Sequence, residues 1–280
     1  MVAVLVAVLI LPCCKAQLPP AHARADTVRL EVGSLLVNGR VYAPHTARVR
    51  VHLGEVTTPP VAEWTNELTL GDSAGRPIMR WITRGTQYPP GGATVQWELR
   101  QTYDAVTLAP YGYHSTSTTG AWTRLRLDGP RVRGSRHVPG EATEQQVDVT
   151  LDRPGFFAGA SDLVPLAAGL EAGKVMTAPV WAPAMTRTEL RIFTVIGLDT
   201  VDVESSTVVA WKVEERRHAD AALLATWWLT EASPYMVYGE VIQPNGQVRR
   251  MTEVEIPHRP SGEDRGEFGV NEGSAARPAC

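Results

Sequence analysis

Arg48-Val49-Arg50-Val51-His52-Leu53 alternates polar and apolar residues at every step, which puts Val49, Val51 and Leu53 on one face of an extended chain. The pattern recurs downstream. Glu67-Leu68-Thr69-Leu70 repeats it, Gly71-Asp72-Ser73-Ala74-Gly75 reads as a hairpin turn, and Ile78-Met79-Arg80-Trp81-Ile82 follows. Tyr88-Pro89-Pro90-Gly91-Gly92 is a loop. In Arg124-Leu125-Arg126-Leu127 the arginines share one face and the leucines the other, as in a half-buried antiparallel strand. Further strands are expected over 94–102, 105–114, 132–138 and 145–151. Others follow over 175–181, 189–196, 200–203, 208–215, 223–229, 236–242 and 248–255. Asn245-Gly246 between two such runs is a strong hairpin signal.

One stretch breaks the rhythm. Ser161-Asp162-Leu163-Val164-Pro165-Leu166 begins like a short helix, with Ser161 as its cap and Gly169 as its stop. The expected fold class is therefore mainly β: one large antiparallel, strongly curved sheet or unclosed barrel with a short helical interruption. The segments divide into a signal peptide (1–16), a lead with the first strand or strands (17–47), a β-rich domain (48–256) and a flexible tail (257–280).

Met1 to Leu11 is an unbroken apolar run, too short to span a bilayer and of the length of a signal-peptide core. Cys14-Lys15-Ala16 places small residues for cleavage after Ala16, so export to the periplasm or outer envelope is expected. Cys13 and Cys14 raise a lipid anchor, but proline stands where a lipobox has a different residue. Removal of the leader leaves Cys280 as the sole cysteine, which excludes an internal disulfide framework.

The 280 residues carry 27 Lys+Arg against 30 Asp+Glu, a net charge of -3, which excludes a generally basic nucleic-acid binder. Hydrophobic residues at 44% fit a packed globular chain. The seven histidines are scattered without HxH or HExxH spacing, so no metal site and no cofactor are expected. Gly159-Ala160-Ser161 starts like a nucleophile elbow, but Leu163 replaces the second glycine. No catalytic residues are assigned. An envelope hydrolase built around His114 and Ser115 is the third-ranked reading.

Tryptophan is the remaining signal. Trp81, Trp97, Trp122, Trp181 and Trp211 fall one to a strand, and Trp227-Trp228 must point to opposite faces of theirs. Core packing explains them, or several line the concave side of an incompletely closed sheet.

From Ser161 onward a second pattern appears. The helix-like segment is followed by Glu171-Ala172-Gly173-Lys174, Leu190-Arg191-Ile192-Phe193-Thr194-Val195-Ile196-Gly197 and Val208-Val209-Ala210-Trp211-Lys212-Val213-Glu214. Thr226-Trp227-Trp228-Leu229, Ser233-Pro234-Tyr235 and Gly246-Gln247-Val248-Arg249-Arg250-Met251 complete it. Over 161–256 this order resembles exported bacterial proteins of a domain of unknown function related to the LolA/LolB lipoprotein-carrier superfamily. The resemblance implies a curved antiparallel sheet with helical segments plugging its concave side. It also implies a non-enzymatic cell-envelope role with an apolar ligand such as a lipid or lipoprotein acyl chain, and peripheral contact with the envelope membrane. Trp181, Phe193, Trp211 and Trp228 are then the expected ligand-binding residues on the concave face. A structural scaffold without ligand is the alternative.

Overall fold

The computed structural model describes residues 27–256 apart from residue 205. The expected signal peptide with Cys13 and Cys14, and the expected tail with Cys280, lie outside the described residues.

After the two-residue strand β1 (Val28–Arg29), the first half meanders through eight strands. They are β2 (His45–Leu53), β3 (Ala62–Ser73), β4 (Arg76–Gln87), β5 (Val95–Asp104), β6 (Pro110–Ser117), β7 (Trp122–Asp128), β8 (Arg131–His137) and β9 (Gln145–Thr150). A crossing segment carries β10 (Phe156–Phe157), a 3-10 turn (Ala158–Ala160) and the helix α1 (Leu163–Ala167). The second half is β11 (Val175–Trp181), β12 (Glu189–Val203), β13 (Ser206–Arg217), β14 (Leu223–Leu229), β15 (Met236–Ile242) and β16 (Val248–Glu255).

Both halves belong to one sheet because β16 pairs antiparallel with β2, placing Met251 opposite Val51. The sheet is antiparallel throughout its wall and mixed only at one edge, where β1 and β10 each pair parallel with β11. It does not close into a barrel: β9 ends one side, and β11 with its two short partners ends the other. The gap is crossed by the chain after β9. There Asp152 Oδ1 accepts from the amide and the hydroxyl of Thr188, at 2.9 and 2.8 Å.

Local chemistry sets the turns. The β3–β4 hairpin narrows to Ala74-Gly75, both at positive φ as a two-residue turn of primed type requires, with Gly75 N donating to Asp72 Oδ1 at 2.8 Å. Gly71 to Ser73, expected in the turn, instead extend β3. Gly246 has φ +82 in the expected Asn-Gly hairpin.

Two further expectations are corrected. The expected strands 189–196 and 200–203 are one strand, β12, because the register shifts between Val195 and Gly197 without breaking the pairing. Gly197, at φ +142, supplies the bulge. Ser161 does not cap α1; its hydroxyl donates to Glu215 Oε2 at 2.9 Å, and the helix-capping position belongs to Asp162. Gly169, at φ +81, does follow the helix end as expected.

Beyond Gly197 the β12–β13 hairpin leaves the wall and folds across the outer face of β14, β15 and β16. Arg48 Nη2 and Arg50 Nη1 donate to Glu204 near its tip, at 3.0 and 2.9 Å. The arm covers a small outer core of Val203, Ala210, Trp228, Val237 and Tyr238. The main core lies on the concave side, where Leu163, Val164 and Leu166 of α1 and Phe157 of β10 pack against Met79, Tyr103, Leu125, Phe193 and Val213. All five residues of α1 are buried, so the helix acts as a plug.

Candidate functional site

Cross-strand register builds the site. Trp64 on β3 faces Gly85 on β4, and Gly85 faces Trp97 on β5, all on the concave side. The Trp64 and Trp97 rings stand 5.8 Å apart at 60°. Such closeness requires glycine between them. A β-carbon on Gly85 would stand 2.7 Å from Trp64 Cβ and 2.8 Å from the Trp97 ring. The same device recurs across the lumen, where a β-carbon on Gly239 would stand 2.9 Å from the ring of Trp227.

Between these aromatic walls and the plug lies an internal cavity of about 140 Å³ that is partly open at its mouth. Trp64, Trp81, Trp97 and Trp227 line it together with Met236 and Met251. Its polar lining comes from Asn66, Thr83, Gln101 and Glu253 on the sheet and Asp162 on the plug. Thr83 Oγ1 donates to Asn66 Oδ1 at 3.0 Å, and Asn66 Nδ2 donates to Glu253 Oε1 at 2.8 Å. Asp162 makes no side-chain capping bond, and its partial exposure is to this cavity.

Burial holds both carboxyls well above their ordinary range. Glu253 is pushed up to about 8 by burial, aided by the charge of Asp162 and opposed by the Asn66 bond. Asp162 is pushed up to about 7 by burial, with the nearby charge of Glu215 adding to it and backbone N–H groups opposing it. Glu253 therefore holds its proton at neutral pH, and Asp162 titrates there.

Glu215 occupies a neighbouring cluster. Its carboxylate accepts from Ser161 Oγ and Trp227 Nε1, each at 2.9 Å, and from Arg191 Nη1 at 3.1 Å. Burial raises its pKa while the Arg191 charge and these bonds oppose the rise. Arg191 also reaches Glu189 at 2.5 Å. This cluster ties the plug to the wall through Ser161, and it leaves only Arg191 Nε without a hydrogen-bond partner.

Outside the cavity, an open groove of about 710 Å³ is bordered by Trp64, Trp97, Tyr88, Gln96, Ser117 and the Arg84–Glu98 pair, among others. Trp64 and Trp97 border both spaces. Arg84 is held in place by Glu67 and Glu98, at 2.9 and 2.8 Å.

The residues expected from sequence lie elsewhere. Trp181 and Phe193 are fully buried in the main core, where Trp181 Nε1 donates to Met185 O at 2.9 Å and its ring packs on Phe157. Trp211 is half-buried against the same core. Trp228 faces the opposite side of the wall, beneath the arm, with Nε1 donating to Asp199 Oδ2 at 3.2 Å and Lys212 Nζ 5.0 Å from its ring centroid. The expectation that Trp227 and Trp228 point apart holds, and it is Trp227 that reaches the cavity. Asn66, Thr83, Gln101 and Glu253 escaped the sequence reading. Their signal was a polar residue at an inward position of an alternating strand.

His114 and Ser115, as successive residues of β6, face opposite sides of the sheet. Arg100 and Arg124 flank His114 and, after burial, lower its pKa further. Among the described residues no group of three His, Cys, Asp or Glu side chains is placed to hold a metal ion.

No curated protein matches the sequence. Among solved structures, the fold is similar to a beta-barrel-like protein of domain of unknown function DUF1849 from Brucella abortus. That match has 11% identity, covers 75% of this chain and 95% of that one, and has a TM-score of 0.45. A DUF1089 family protein from Pseudomonas aeruginosa is similar at 13% identity over 68% of this chain and 87% of its own, with a TM-score of 0.25. The model of the family DUF3108, proteins of unknown function, matches residues 48–252, from the first alternating strand to the last, and the chain belongs to that family.

Proposed function

We propose that this chain is a non-enzymatic binding module of the cell envelope that holds an amphiphilic, lipid-class ligand in the groove walled by Trp64 and Trp97. The observation that carries this reading is that indole pair, set over Gly85 and bordering both the open groove and the internal cavity. Indole faces supply apolar area, while Gln96, Ser117, Arg84 and Glu98 offer polar groups beside them. The lumen beside Trp181 and Phe193 is filled by side chains, so the ligand seat moves from those residues to the groove. Each methylene buried there is worth about 0.8 kcal/mol.

Export rests on the apolar run before Pro12, and kinship with the LolA/LolB carriers on the pattern over 161–256. Leu198 and Val209, each 63% exposed on the outward side of the arm, are the surface we assign to contact with the envelope membrane.

Displacement of an apolar fluorophore by fatty acid or phospholipid tests the reading. Wild type should bind the dye and release it to lipid, Trp97→Ala should weaken binding at least tenfold, and Trp122→Ala should leave it unchanged. A folded wild type that binds neither dye nor lipid leaves only a structural scaffold.

A further inference from the structure

We propose that the internal cavity between α1 and the sheet is a binding site for a small organic cation, an ammonium headgroup held by Asp162 and Gln101 within a cage of four tryptophans. The inference goes beyond the groove reading and is separable from it, since the two sites share only Trp64 and Trp97.

Four features of the cavity support the assignment. Gln101 is 3% exposed and lines the space, where its side-chain amide offers a guest both donor and acceptor atoms. Asp162, at the helix-capping position of α1 without a side-chain capping bond, opens onto the same space. Trp64, Trp81, Trp97 and Trp227 supply the aromatic surfaces that attract cations. Charge is the fourth. The cavity is lined by two carboxyl groups and no basic residue, and the nearby Arg191 is engaged by Glu215 and Glu189. Above pH 8 both carboxyls ionise in a desolvated setting, and a guest cation supplies their counter-charge. A metal ion is the poorer guest, because two carboxyls and an amide fall short of the six to eight oxygens that calcium takes. At about 140 Å³ the space suits a handful of waters or one compact headgroup and no acyl chain.

Choline and its uncharged isostere 3,3-dimethylbutan-1-ol are the probes, titrated against tryptophan fluorescence and by calorimetry at pH 8.5. Choline should bind saturably and at least tenfold more tightly than the isostere. Asp162→Asn should lose at least tenfold for choline while leaving the isostere unchanged, and Gln101→Leu should weaken choline severalfold. Circular dichroism melts establish that each variant is folded. Equal affinity for both probes, retention of choline affinity in folded Asp162→Asn, or no choline binding by folded wild type would overturn the proposal. Any of these results alongside intact fluorophore binding in the groove sinks the cation site and leaves the groove reading standing.

Discussion

The indole of Trp97 lies against the backbone of Gly85, so close that a β-carbon there would stand 2.8 Å from two of its ring atoms. The neighbouring strand thus gives up a side chain so that two tryptophans can meet across it. Gly85→Ala must push Trp97 or the strand aside, an overpacking cost of about 1–3 kcal/mol. The expected readout is a lower melting temperature together with an altered near-ultraviolet circular dichroism spectrum. An alanine variant with wild-type stability and spectrum would show that the rings do not occupy this arrangement.

Stability should fall as pH rises through the neutral range. Asp162 and Glu253 ionise near their ordinary acidic values when unfolded, but at about 7 and about 8 in the folded protein. Between roughly pH 4 and 8 the folded chain thus binds more protons than the unfolded one, and the unfolding free energy declines with pH. The stabilisation is fully present below the unfolded values and lost by the time pH passes the folded ones. For Asp162 the upper bound is of order 4 kcal/mol at 1.36 kcal/mol per pKa unit. Asp162→Asn should melt near wild type at pH 5 and above it at pH 8.5. Parallel melting curves across that range would contradict the assignment.

Arg191 is the partner that lets Glu215 sit in the wall beside the plug. Arg191→Met leaves that carboxylate buried without its charge partner, at an expected cost of about 3–5 kcal/mol. Urea unfolding of Arg191→Met and of the double variant with Glu215→Gln separates the cost of the orphaned charge from the worth of the pair. Recovery of most of the loss in the double variant is the expected outcome, and no recovery would mean the arginine acts through packing alone.

Export has its own test. Mature protein recovered from the native envelope should begin near Gln17, by N-terminal sequencing. Recovery from the cytosol with Met1 intact would refute it.

The wall of this protein was legible because period two survives in sequence wherever one face is buried. Arg48 to Leu53 and Arg124 to Leu127 fall within β2 and β7 with the expected faces inward. The arm was not legible. A bulge at Gly197 adds one residue, so β12 reads as two pieces, and alternation alone does not say which of Trp227 and Trp228 on β14 faces the lumen. The cavity was illegible for a related reason. Asn66, Thr83, Gln101 and Glu253 come from four strands spread over most of the chain, and only the register brings them to one place. Periodicity assigns a face but not a height along the wall, and the plug decides which heights stay open.

Whether the Trp64–Trp97 pair seats a ligand is decided by native mass spectrometry of the mature protein after incubation with a lipid extract of its own envelope. One lipid-class molecule should be bound per chain in wild type and largely lost in a folded Trp97→Ala variant. A wild-type chain that emerges bare, or equal occupancy in wild type and variant, would contradict it.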